Sequence, residues 1–290
     1  MYKQIAENKK KTILLMVFFV LIMMVLGVAI AYLMDDKLVA IGVGVGAVLY
    51  ALMQYFLANK ILVVTTGARE LERKENPRLY NIVENLAIVE NLPLPKIYII
   101  EDAAPNAFAS GKDPKHAIVA VTTGLIDIMN DKELRAVMAH EMSHVKNYDI
   151  RISMIVFGLV SLIGVMSDLG VRMVWRSDKD DETKSPVGIV LAVVAIILMP
   201  LAASLARLAV SRQREYLADI SATKMIGDPD DMIAALQKLQ THGRPMRRQN
   251  SAASQMFINN PVGGMFANMF STHPSIESRI ERLEKSKAVF

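Results

Sequence analysis

Two uncharged apolar runs, residues 12–34 and 38–58, stand three residues apart near the start of this 290-residue chain. They are 23 and 21 residues long, and each is long enough to cross roughly 30 Å of hydrocarbon as a helix. In hydrocarbon every backbone N–H and C=O must be satisfied within the protein, so runs of this kind must be helical. Asp35-Asp36-Lys37 leaves room only for a tight turn, and the two runs therefore form a hairpin. The first run is too long for the core of a signal peptide and lacks a small-residue cleavage site, so it reads as a retained anchor.

Two further runs lie downstream. Residues 152–175 are apolar to Val165 and then carry Asp168 and Arg172, while residues 187–210 contain Pro200 and, near their end, Arg207. Both read as membrane segments. For 152–175 a buried core helix or a re-entrant segment is the alternative, and its ionisable residues should face protein or water. The hydrophobic share of 52% is high for a soluble domain of this length. Lys3, Lys9, Lys10 and Lys11 precede the first run, and Lys60, Arg69, Arg73 and Lys74 follow the second. Lys146 and Arg151 precede the third, and Arg207, Arg212 and Arg214 flank the end of the fourth. The positive-inside rule then places both termini and residues 60–150 in the cytoplasm. Tyr32 and Trp175 fall near the outer interface, and Tyr55 and Phe56 near the inner one. The net charge of +4 is accounted for by these flanking bases and does not point to nucleic acid.

Four stretches follow: a transmembrane hairpin (1–58), a first soluble part (59–150), a second pair of membrane segments (151–210) and a second soluble part (211–290). Helical spacing of Leu79, Ile82, Val83, Leu86 and Val89 predicts a helix over about 77–90, which Pro93 and Pro95 end. Residues 96–101 and 116–122 read as strands, the second a candidate edge on which an extended substrate could pair. Residues 124–129 read as a short helix. Asn130 and Glu133 resemble a capping box that opens a helix over 131–147. Residues 251–271 hold methionines, phenylalanines and Gly263-Gly264. They read either as a loop packed on the core or as an adaptable flap.

The predicted 131–147 helix carries His140-Glu141-Met142-Ser143-His144. Histidines four apart project from the same side of a helix, one turn from each other, so both can reach one metal ion. Glu141 between them is placed to take a proton from a water that the metal activates. The chain has no cysteine, so a zinc site here must use histidine and carboxylate. A catalytic zinc keeps three protein ligands and one open position. Glu215 offers the third ligand. Asp219, one turn further on, can accept the second N–H of a ligating histidine. A non-catalytic membrane scaffold with a structural zinc is the rival reading. It would call for four ligands where three are evident, and it leaves Glu141 without a purpose.

These motifs occur in the order Asn106-Ala107-Phe108-Ala109, His140 to His144, Glu215-Tyr216-Leu217-Ala218-Asp219 and Ser271-Thr272-His273-Pro274-Ser275, with two apolar segments between the second and third. Together they resemble the HtpX-type membrane zinc metalloproteases, a family related to the CAAX prenyl endopeptidases. The resemblance implies a mainly α membrane protein with about four transmembrane helices and a cytoplasmic α+β zincin-type protease domain. It implies one Zn2+ held by His140, His144 and Glu215, with Glu141 as general base and Asp219 as partner to the ligands. It also implies His273 as an oxyanion donor and Asn106 as a substrate-backbone contact. The implied activity is endoproteolysis of membrane proteins, damaged ones included, at the cytoplasmic membrane. A processor of lipidated or signal peptides would share this chemistry. No feature of the sequence sets an oligomeric state.

Overall fold

The computed structural model describes residues 2–175, 212–249, 252–261 and 274–287. The fourth apolar run, 187–210, and His273 lie outside the described residues. In chain order the elements are α1 (Tyr2–Met34), α2 (Lys37–Thr66), β1 (Arg69–Glu70), α3 (Pro77–Val89), β2 (Lys96–Ile100), β3 (Ala107–Ser110), β4 (Ile118–Thr122), α4 (Thr123–Ile128), α5 (Asp131–Lys146), α6 (Asp149–Trp175), α7 (Arg212–Ile226), α8 (Pro229–His242) and α9 (Ile276–Ser286).

The first two helices form the expected hairpin. Asp35 takes a left-handed φ of 52°, and the Asp36 carboxylate caps α2 by accepting the Leu38 N–H at 2.9 Å. Leu14, Val25, Leu38, Ile41 and Leu49 are exposed along the pair, a surface that suits lipid and not water. The third long apolar helix is α6. Its 149–166 stretch is long and apolar enough to span, yet most of that stretch is buried inside the protein. Among the described residues, α1, α2 and α6 are therefore the helices able to cross a membrane by length and composition. Gly158 lets α2 close on α6: a Cβ added there would stand 1.9 Å from Gln54 Cδ. Tyr50 Oη donates to the Gly158 carbonyl at 2.7 Å across the same contact.

The four strands form one sheet in the order β1-β2-β4-β3, with β2 and β4 parallel and the other pairs antiparallel. Side chains alternate across a strand, and here the alternation divides two cores. Ile97, Ile99, Val119 and Val121 pack with α3, α5 and α8. Ile100, Phe108, Ile118 and Ala120 pack with α1, α2 and α6. The expectation that 116–122 offers an edge is overturned, because β4 is paired on both sides and buried at every position. Its unbroken apolar run is the pattern of a strand covered on both faces. The free side of β3 is the edge nearer the metal helix, and it is itself partly taken. Phe257 bridges Phe108, and the Ile258 N–H donates to the Ala107 carbonyl at 3.0 Å.

Candidate metal centre

The capping box opens α5 as its residues suggest. Asn130 Oδ1 accepts the Glu133 N–H at 3.0 Å, and Glu133 Oε2 accepts the Asn130 N–H at 2.8 Å. Two donors that helix geometry leaves orphaned are thereby satisfied. Leu134, Val137, Met138 and Val145 bury α5 against its neighbours. His140 and His144 are held on the side that meets α7. Their Nε2 atoms are 3.2 Å apart; that of His140 stands 3.6 Å from Glu215 Oε2 and that of His144 3.6 Å from Glu215 Oε1. A tetrahedral zinc with bonds of about 2.0–2.1 Å has its ligand atoms about 3.3–3.4 Å apart. The spacing of the two ring nitrogens is close to such an edge, one ligand atom from each of the three residues lies within 4.8 Å of the others, and the donor set of two imidazoles and a carboxylate suits that ion.

The far nitrogens of both rings are also held. His140 Nδ1 lies 2.9 Å from Asp219 Oδ1, and His144 Nδ1 lies 3.1 Å from Asp149 Oδ2. Each carboxylate accepts the Nδ1–H, which leaves the Nε2 lone pair directed to the metal position. Asp219 is fixed in turn by Arg279, which donates from Nε at 2.9 Å and from Nη2 at 2.6 Å. Arg279 is itself buried. Asp149 Oδ1 accepts from Asn8 Nδ2 at 2.9 Å and pairs with Arg214 Nη1 at 3.2 Å. The first membrane helix thus reaches the ligand support. Tyr148, with a φ of 61°, makes the corner between α5 and α6 that returns Asp149 to His144.

Neither Asp149 nor Arg279 was among the residues expected from sequence. Asp149 stands just past the helix end, in a turn that periodicity does not describe. Arg279 left a signal: it occupies the second position of the stripe Ile276, Arg279, Ile280, Leu283, where helical spacing calls for an apolar residue.

Charge at the site favours a cation. Burial and the Arg279 charge push His140 down, but hydrogen bonds to Asp219 and Glu215 outweigh them and raise it to about 9. Burial opposes a proton on His144 too, and the charge on Glu215 with the Asp149 hydrogen bond raises it nonetheless. Burial pushes Asp219 up, while the Arg279 charge draws it down to about 2. The field that keeps a proton on these rings would equally hold a divalent ion between them.

Glu141, His144 and Glu215 line one pocket of about 30 Å³, room for a water or two. Ala109 of β3 and the side chains of Gln255 and Met256 close it. The described part of the expected flap therefore lies across the metal cluster. Asn106 is not among the lining residues. Its Nδ2 donates to the Asn259 carbonyl at 2.8 Å, and its Oδ1 accepts the Asn259 N–H at 3.1 Å. In this structure it clamps residue 259 to the start of β3.

The profile of peptidase family M48 matches residues 72–287. A protein named Protease HtpX homolog from Tropheryma whipplei (strain Twist) is 45% identical over 292 residues, with 98% of each chain covered. Another of that name from Streptococcus pneumoniae (strain Hungary19A-6) is 44% identical over 302 residues, covering 98% of this chain and 99% of its own. The crystal structure of S. mikatae Ste24p aligns over 82% of this chain and 56% of its own, with a TM-score of 0.49 and 20% identity. The gathered His140, His144 and Glu215, which could hold a metal ion, and the long apolar hairpin agree with the sequence matches: the chain belongs to peptidase family M48, as a membrane protease of the HtpX type.

Proposed function

We propose that this chain is a zinc-dependent endopeptidase that cleaves membrane proteins, misfolded or damaged ones included, at the cytoplasmic face of the cell membrane. Its first and second membrane parts (1–58 and 151–210) anchor a catalytic unit built from 59–150 and 211–290, with both termini on the cytoplasmic side. The observation that carries the reading is the gathering of His140, His144 and Glu215 within reach of one ion, with Glu141 lining the same pocket. Bound there, a Zn2+ would acidify a water and polarise a scissile carbonyl.

The remaining steps belong to this chain's residues. Glu141 accepts the proton of the attacking water and passes it to the leaving amine. Asp219 and Asp149 fix the tautomer and aim of the two rings. Arg279 holds Asp219 ionised in a buried place, where an unpaired carboxylate would be neutral. His273 is proposed as the donor to the developing oxyanion, and Asn106 as a contact to substrate backbone once Asn259 has moved.

The test is cleavage of a panel of membrane proteins by the purified chain in detergent. Cleavage that stops with a chelator and returns with Zn2+ supports the reading. Cleavage indifferent to chelator would remove the metal from the mechanism.

A further inference from the structure

A second cavity lies away from the metal, on the face of the sheet that meets α2. Its volume is about 580 Å³, and it is lined from α2, from the strand ends at Lys96 and Ile118, and from residues 112–117. Lys60, Lys112 and Lys115 all point to it. Lys96 and His116, also on its wall, are paired with Glu70 and Asp113. Among the described residues no carboxylate pairs with Lys60, Lys112 or Lys115. Three lysines line one concavity without a carboxylate partner, and an anion in the cavity would supply the missing counter-charge.

The position of the cavity says which anion. Lys60 stands two residues past the apolar run of α2. The Lys112 ammonium lies 5.2 Å from the Phe56 ring centroid and 5.8 Å from that of Tyr55, within cation–π range. Those rings mark the interfacial end of the span, so the lysines sit at headgroup depth. Phe56, Val64 and Leu94 expose apolar carbon on the same walls. A free phosphate ion has no use for that carbon, whereas a lipid brings both a phosphate and hydrocarbon.

We propose that this cavity binds an anionic phospholipid, its phosphate on Lys60, Lys112 and Lys115 and its apolar part against Phe56, Val64 and Leu94. The lipid would brace the seam between α2 and the sheet, where Asn59 donates to the His116 carbonyl at 3.0 Å and accepts from Ser110 Oγ at 2.8 Å. The inference rests on α2 being a membrane helix. It does not rest on the metal chemistry, because binding is measured without turnover.

Native mass spectrometry of the full chain in detergent provides the test, with phosphatidylglycerol titrated against phosphatidylcholine. The variant Lys60→Gln/Lys112→Gln/Lys115→Gln should bind phosphatidylglycerol about 100-fold more weakly, since each lysine near an anionic headgroup contributes roughly fivefold. Phosphatidylcholine binding should not change. Removing the same charge at the exposed Lys74, Lys132 and Lys224 should leave phosphatidylglycerol binding within about twofold, the same factor that separates noise from loss of one lysine's fivefold. If the triple variant does not fold, Lys112→Gln alone should show the roughly fivefold loss. The proposal fails if the triple variant binds like the parent, if the control set loses as much, or if millimolar inorganic phosphate or an acidic peptide displaces the lipid.

Discussion

At the scale of single residues, the proposed centre is a chain of dependence from metal ligand to carboxylate to arginine. Removing Glu215 takes away one of the three proposed ligands, so Glu215→Ala should lose the metal. Asp219→Asn and Asp149→Asn keep all three ligands and weaken only their aim. Each should lower zinc affinity by about 10–100-fold, as outer partners of metal ligands do. Competition with a fluorescent chelator checks the ranking, and greater loss at Asp219 than at Glu215 would mean the ligand has been assigned to the wrong carboxylate. Arg279→Met strands a buried Asp219 charge. Breaking one side of a buried pair costs about 3–5 kcal/mol, so a clear fall in Tm is expected. The double variant Arg279→Met/Asp219→Leu should recover much of it, and a double variant as unstable as the single one would count against the pairing. That His140 and His144 face the same way was legible in sequence, because helical spacing dictates where side chains four apart go; the approach of Glu215 from another helix is tertiary. Asp149 was not legible, since a corner with a left-handed Tyr148 has no periodic signature.

At the scale of elements, α3, α4 and α5 follow from apolar period and capping residues, and their expected limits lie close to the observed ones, whereas α1 begins ten residues before the apolar run 12–34 and α2 continues eight residues past the run 38–58, because a helix extends beyond its apolar part. The sheet was harder to read. β3 is four residues long and carries no alternation, being buried throughout, and the two partners of β4 cannot be inferred from one strand's sequence. The contact between β3 and residues 257–259 is likewise tertiary. It makes Asn106 an instructive position, since its amide holds Asn259 on both sides. The clamp predicts that Asn106→Ala lowers Tm through buried groups left unsatisfied, at roughly 1–3 kcal/mol. The proposed contact to substrate backbone predicts, in addition, a fall in kcat/KM of the folded fraction. A lowered Tm with turnover of the folded fraction unchanged would leave Asn106 the clamp alone.

At the scale of the whole molecule, membrane and catalytic parts are continuous. Asn8 of α1 supports Asp149, α6 begins five residues beyond His144, and the helical core of α6 shares its packing with the sheet. The proposed metal position is therefore tied to the hairpin rather than hung below it on a linker. Orientation can be tested directly because the native chain has no cysteine. A single cysteine at Asp36 should label with an impermeant thiol reagent in whole cells, and one at Lys132 or Lys224 only after lysis. The reverse pattern would invert the topology.

The central claim is that Glu141 does the proton work beside a metal that it does not hold. Metal content and cleavage measured together on purified Glu141→Gln test it most directly. The account predicts about one zinc per chain, as one three-ligand site requires, with cleavage of membrane-protein substrates abolished. Zinc lost along with activity, or cleavage retained with zinc in place, would contradict it.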